Sequence, residues 1–212
     1  MVEIENRGRK KMDTACSCHV SEGDVIETMS EKVVDARKTI LNLLLSNHKT
    51  DCFSCAQNGR CKLQDYCVEY GVERTTYEGE MTEFPVDDSN PFFTYDPNLC
   101  ILCHRCVNTC NKVVGRGAID TMERGFESSV GTPFGVPIRK STCESCGNCV
   151  EACPTGALSS KRRKSFRPWQ IDKKVLTTCP HCGTGCQFYL VVKDNKIVDV
   201  EPANGPANKN LL

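Results

Sequence analysis

The sequence predicts an α+β chain assembled from small modules held together by ligated cysteines rather than by one large core. Three observations carry that prediction. Seventeen cysteines stand among 212 residues while only 39% of residues are hydrophobic, so the core is thin and staples must supply what burial does not. The cysteines are odd in number and fall in tight runs, which is not the layout of a disulfide framework. Between the runs, one stretch shows helical spacing of apolar residues and several short stretches alternate as strands.

The first module, residues 1–30, opens Met-Val-Glu-Ile-Glu-Asn-Arg-Gly-Arg-Lys-Lys, which lacks the apolar core of a signal peptide. Val25 to Thr28 reads as a short strand, preceded by Cys16 and Cys18 with no partner cysteines upstream. Ser30 is placed to N-cap a helix over 31–47, where Val33, Ala36, Ile40, Leu43 and Leu44 recur at helical spacing and read as core. The aliphatic run Leu43 to Leu45 is far too short to span a bilayer.

At the end of that helix the pattern turns chemical. His48-x3-Cys52-x2-Cys55-x5-Cys61 offers one imidazole and three thiolates, a set able to hold a [4Fe–4S] cluster. A neutral imidazole in place of a thiolate removes one negative charge and should raise the reduction potential. His48 could instead simply cap the helix C-terminus, and Cys67 is a rival fourth ligand. His48 is favoured, because histidine is a common metal ligand and directly precedes the triplet. A short helix over 62–70 completes this module, 31–84.

Residues 80–99 read as a polar, proline-bearing connector. Two runs of one spacing follow, Cys100-Ile-Leu-Cys103-His-Arg-Cys106-Val-Asn-Thr-Cys110 and Cys143-Glu-Ser-Cys146-Gly-Asn-Cys149-Val-Glu-Ala-Cys153-Pro154. Each is C-x2-C-x2-C-x3-C, the signature of a bacterial ferredoxin with two [4Fe–4S] clusters, in which the fourth cysteine ligates the other cluster. The expected sets are Cys100, Cys103, Cys106 and Cys153 on one cluster, and Cys143, Cys146, Cys149 and Cys110 on its neighbour. Cys100-x-x-Cys103-His104 also matches a haem attachment motif, but a haem has no use for Cys106 and Cys110. Structural zinc accepts paired cysteines, not three plus one. Ala118 to Met122 and Phe126 to Val130 should form a hairpin over the clusters, within a module spanning 85–160.

Lys161-Arg162-Arg163-Lys164 reads as a solvated basic linker covering 161–174. Lysine plus arginine balances aspartate plus glutamate at 27 each, so charge points to no nucleic-acid partner. The last module, 175–212, holds Cys179-Pro-His-Cys182-Gly-Thr-Gly-Cys186 and a hairpin of 188–193 and 196–200 about Asp194-Asn195. Cys179-x2-Cys182 lacks the βαβ setting of a thiol oxidoreductase, and Cys186 makes a third thiolate, so a further cluster is the better reading. No cysteine follows Cys186 to complete it. Gly183 and Gly185 do not make a dinucleotide fingerprint. Thiolates that hold iron must stay reduced, which sets the expected location as the cytoplasm, with no membrane association.

In this order, a histidine with three cysteines, a two-cluster ferredoxin module and Thr177-Thr178-Cys179-Pro-x-Cys182-Gly-x-Gly-Cys186, the chain resembles the N-terminal half of NAD(P)-linked molybdenum or tungsten formate dehydrogenase catalytic subunits. Cys153-Pro-Thr-Gly-Ala-Leu158 and the hairpin of 187–200 resemble that family too. The large iron–sulfur subunit of respiratory complex I is similar in its histidine-led start, and the [FeFe] hydrogenases in both earlier modules. The resemblance implies that residues 1–30 are the remnant of a [2Fe–2S] ferredoxin-like domain, with Cys16 at its last ligand position. It implies that Cys179, Cys182 and Cys186 belong to a cluster beside a pterin cofactor, and that a fourth cysteine would follow Asn210-Leu211-Leu212.

The expected function is an electron-transfer subunit with three [4Fe–4S] clusters and a partial or absent fourth at Cys179, Cys182 and Cys186. It would relay single electrons between an NAD(P)/flavin-binding subunit and a formate dehydrogenase or hydrogenase catalytic subunit. No residue of the chain is expected to convert a substrate, and the chain alone is not expected to hold molybdopterin. The alternatives are a truncated formate dehydrogenase catalytic subunit and a zinc-binding structural interaction module.

Overall fold

The structure, a computed structural model, describes residues 1–6 and 8–209. The chain divides into two units, Met1–Asn47 with Asp65–Met81, and His48–Gln64 with Thr82–Leu212.

The first unit opens with a sheet of which the sequence predicts one strand. β1 (Val2–Asn6), β2 (Arg9–Asp13) and β3 (Val25–Glu27) pair antiparallel in the order β2-β1-β3. β1 alternates apolar Val2 and Ile4 with Glu3 and Glu5, β2 is charged at every position but Met12, and Glu5 faces Lys10 across the pair at 3.5 Å. Glu3 is buried and accepts a hydrogen bond from Ser30 Oγ at 2.8 Å. Ser30 therefore stands at the N-cap of α1 (Glu31–Ser46) without capping it through its side chain.

The buried stripe of α1 is Val33, Leu41 and Leu45, while Ile40 and Leu43 are exposed. This face is rotated from the expected one, because Arg37 completes the i, i+4 row between Val33 and Leu41. Its guanidinium donates to Met1 O at 2.9 Å and to Tyr70 Oη at 2.7 Å, and lies 5.8 Å over the Tyr70 ring. Tyr70 comes from α2 (Lys62–Tyr70), whose bounds are those expected.

In the second unit the expected connector before the first cysteine run contains a strand. β4 (Phe93–Tyr95) is wholly buried and pairs with a strand beyond the second run. Then follow α3 (Arg105–Asn108), continued by a π turn over Thr109–Val113, and the hairpin β5 (Asp120–Met122) with β6 (Ser129–Gly131), shorter than expected. α4 (Asn148–Ala152) leads to β7 (Leu158–Ser160), the partner of β4. Phe93, Tyr95, Val107, Ile119, Val130, Ile138, Val150 and Leu158 form the core, with five of the eight ligand-run cysteines only partly buried against it. Tyr95 Oη donates to Val130 O and ties β4 to β6.

The basic run is not solvated throughout: Arg162 and Lys164 are exposed, but Arg163 is buried. Lys161–Ser165 is a 3-10 helix, and Arg163, 5% exposed, pairs with Asp199 at 2.8 Å and Glu151 at 2.6 Å. Glu151 lies on α4 and Asp199 on the last strand, so the run clips two modules together. β8 (Lys173–Thr178) joins β9 (Gln187–Lys193) and β10 (Lys196–Pro202) in a three-stranded sheet, one strand more than a hairpin. Asp194 and Asn195 turn between β9 and β10 at φ 49° and 57°, the left-handed pair of a tight hairpin turn. No helix of the described residues is long and apolar enough to cross a membrane.

Candidate metal centres

The two cysteine runs follow one backbone path. In the first, Leu102 and His104 are left-handed at φ 51° and 55°; in the second, Ser145 and Gly147 at the same positions have φ 58° and 81°. The chain thus bends before and after the middle cysteine of each loop. Three of these four residues carry a Cβ, and their geometry is held by local bonds. The Leu102 N–H donates to Cys100 Sγ and the Ser145 N–H to Cys143 Sγ, each at 3.4 Å. His104 Nδ1 shares a hydrogen bond of 3.0 Å with Thr121 Oγ1 on β5.

Each loop then enters a helix. Cys106 lies on α3 and Cys110 in the π turn beyond it; Cys149 lies on α4 and Cys153 at its C-cap. Because α3 and α4 pack together, the end of each helix reaches the loop that begins the other. Cys100, Cys103, Cys106 and Cys153 line one cavity together with Tyr95, His104 and Pro154. Cys110, Cys143, Cys146 and Cys149 line a second with Phe93, Ile119 and Ile138. Each cavity is thus lined by three cysteines of one run and one of the other.

The cavities are poor places for bare thiolates. Burial, reinforced by neighbouring thiolates, pushes Cys100 up to about 11 and both Cys106 and Cys149 up to about 12. Burial likewise raises Tyr95. Four sulfurs around an apolar cavity suit a cationic iron core, which stabilises the deprotonated form that burial opposes. Among the described residues no three His, Cys, Asp or Glu side chains converge as ligands of a single metal ion.

The third candidate set leads into α2. His48 is buried, its Nδ1 has no hydrogen-bond partner, and burial, only partly opposed by Asp96, lowers its pKa. An orphaned, neutral imidazole nitrogen is what a metal ligand requires. Burial raises Cys55 and Cys61, and Cys52, exposed, adds to both shifts. Turns closed by Asn58 N–H to Cys55 O (3.1 Å) and Arg60 N–H to Gln57 O (2.8 Å) bring Cys61 back toward Cys55. Cys67, the rival ligand, is half-buried on α2.

The terminal triplet differs. Cys179 N–H donates to Cys186 O at 2.7 Å, closing the β8–β9 connection, but Cys182 is exposed. Its thiol shares a hydrogen bond with Thr184 Oγ1 at 3.3 Å, which lowers its pKa. Asn208 accepts from Gln187 N–H at 3.0 Å and donates to Gln187 O at 2.9 Å, returning the chain beside Cys186. Asn210-Leu211-Leu212, after which the resemblance sets a fourth ligand, lie outside the described residues. Cys16 is exposed and Cys18 half-buried in the first unit.

Two supporting residues escape a reading of the sequence. Asn90, 1% exposed, donates from Nδ2 to Ser145 Oγ at 2.8 Å and so steadies the second loop. Thr155, also 1% exposed, donates to Leu99 O at 2.7 Å and ties the two runs together. A short polar residue in a turn gives no sequence signal of burial.

Residues 37–76 match the NADH-ubiquinone oxidoreductase-G iron–sulfur binding region, 90–159 the ferredoxin-like domain of NADH-quinone oxidoreductase subunit 3, and 172–212 the molybdopterin oxidoreductase Fe4S4 domain. The chain is an iron–sulfur protein. It is 36% identical over 203 residues to a G-type subunit of the NADH-quinone oxidoreductase of Rhizobium meliloti (strain 1021), covering 94% of this chain and 23% of that protein. It is 37% identical over 212 residues to the NADPH-Fe(3+) oxidoreductase subunit alpha of Geobacter sulfurreducens, covering 100% of this chain and 24% of the relative. The chain therefore spans about a quarter of the length of these relatives. Among solved structures, an NAD+-reducing [NiFe]-hydrogenase in the H2-reduced state superposes with a TM-score of 0.67 at 26% identity, covering 75% of this chain and 67% of that one. The iron–sulfur modules are thus ferredoxin-like and of mixed helix and strand, similar to those of the NADH-quinone oxidoreductase and hydrogenase chains.

Proposed function

We propose that this iron–sulfur chain relays single electrons through three [4Fe–4S] centres between an NAD(P)/flavin-binding subunit and a formate dehydrogenase or hydrogenase catalytic subunit, in the cytoplasm. The observation that carries the reading is the pair of four-thiol cavities, each taking three cysteines from one run and one from the other. Cys100, Cys103, Cys106 and Cys153 hold one centre, Cys110, Cys143, Cys146 and Cys149 the next, and His48, Cys52, Cys55 and Cys61 the third. A [4Fe–4S] cluster accepts and releases one electron without making or breaking bonds to substrate. The chain's own part is to exclude water with Phe93, Tyr95 and Ile138, and to aim N–H groups at sulfur. The Ala118 N–H donates to Cys110 Sγ at 3.3 Å, as Leu102 and Ser145 do to Cys100 and Cys143. Such bonds and the apolar lining set the potential. His48 contributes a neutral ligand to its set, which raises that potential relative to four thiolates.

Iron quantitation and EPR on anaerobically purified protein test this reading. About twelve irons per chain and brown colour are expected; colourless protein with zinc, or two or fewer metals, would overturn it. A second reading is favoured by the relatives' length and by the match over 172–212. On that reading the chain is the N-terminal part of a formate dehydrogenase catalytic subunit, and the DNA past the Leu212 codon continues in frame with a cysteine codon.

A further inference from the structure

We infer that Gly156 is the positioning residue through which the His48 set is electrically joined to the set of Cys100, Cys103, Cys106 and Cys153. The inference rests on the function proposed above. A Cβ built on Gly156 would lie 2.5 Å from Cys55 Sγ and 3.1 Å from Leu99 Cδ1. The first separation is far inside van der Waals contact and forces something to shift, while the second is tight and asks the end of the Leu99 side chain to give by a few tenths of an ångström. Gly156 therefore lets the backbone lie directly against the Cys55 sulfur, a use of glycine that depends on space rather than on its dihedral freedom.

The backbone cannot retreat to make room. On one side Thr155 Oγ1 donates to Leu99 O at 2.7 Å, and on the other Asp96 N–H donates to Ala157 O at 2.7 Å. Pro154 O accepts from Lys62 N–H at 2.8 Å, the residue directly after Cys61. The segment between Cys153 and Ala157 is thus pinned to both ligand sets at once. Cys55 and Cys153 are separated by one non-bonded contact and the backbone of residues 154–156. With clusters bound in both sets, this contact would be the route for one electron between them, one centre losing the electron that the other gains, with no proton or leaving group involved.

Gly156→Ala in the full chain, purified anaerobically, tests this. The midpoint potential of the His48 set, read in a redox titration of the EPR signal that Cys52→Ala removes, should shift and its magnetic interaction with the neighbouring set should weaken, while the signals of the ferredoxin pair remain. An unchanged potential and interaction would overturn the inference. If Gly156→Ala abolishes every signal, Cys55→Ala and Cys55→Ala/Gly156→Ala decide, because removing the sulfur makes room for the methyl group. Equal filling of the ferredoxin pair in both variants supports the contact; loss in the double variant alone overturns it. Wild-type protein run alongside keeps the two proposals apart. A count well below about twelve irons there sinks the cluster reading, whereas a full wild-type count with an unaffected Gly156→Ala sinks only this one.

Discussion

The ferredoxin pair and the terminal triplet use the same thiol chemistry in opposite surroundings. Around the pair, cysteines close two apolar cavities and burial raises Cys106 and Cys149 to about 12. At the triplet, Cys182 stands exposed at the tip of a β-connection with its pKa lowered by Thr184. The lesson is that a short cysteine spacing specifies a loop, while the enclosure that makes a centre robust comes from what packs on that loop. The pair has helices, strands and each other; the triplet has only the connection between two neighbouring strands.

Loss of a ligand should separate the two most sharply. Cys149→Ala is expected to lose about four of about twelve irons and the broad visible absorbance that goes with them, whereas Cys182→Ala should leave the iron count unchanged. Metal-free protein gives the next contrast. At pH 8 a thiol at about 12 is ionised more than about a thousandfold less than one below its ordinary value of 9.0. Iodoacetamide should therefore modify Cys182 well before Cys149, by peptide mass mapping; equal rates would erase the distinction. Third in size is the clip between the modules. Asp199→Ala leaves the buried Arg163 guanidinium with Glu151 alone, and should cost about 3 kcal/mol in denaturant unfolding. Smallest is Thr184→Val, which removes the hydroxyl beside Cys182 and should slow its alkylation a few-fold with no change at Cys149.

The parts of this molecule legible in the sequence are those where chemistry dictates spacing. The spacing of Cys100 to Cys153 announces two loops whose cysteines line two cavities, and Asp194-Asn195 announce their turn. The rest is hidden for physical reasons. β1 alternates Val2-Glu3-Ile4-Glu5 for only four residues, and β2 has the single apolar residue Met12 among charged ones, so neither gives a run long enough to read as a strand. β4 and β7 are three residues each, too short to show a period. The face of α1 is misleading because an arginine occupies a buried row, satisfied by a carbonyl and a tyrosine that no pattern reveals. Arg163 sits in a run of four basic residues, and nothing in the run says which one turns inward.

The antiparallel pairing of β4 with β7 has a consequence of its own. Phe93 stands opposite Ser160, so the polypeptide leaves the two-cavity fold at nearly the place where it came in. A fold whose ends meet can be spliced into a longer protein, or lifted out of one, with little disturbance to its interior. Polypeptide can thus be added before Phe93 and after Ser160 without either addition having to thread between the two cavities.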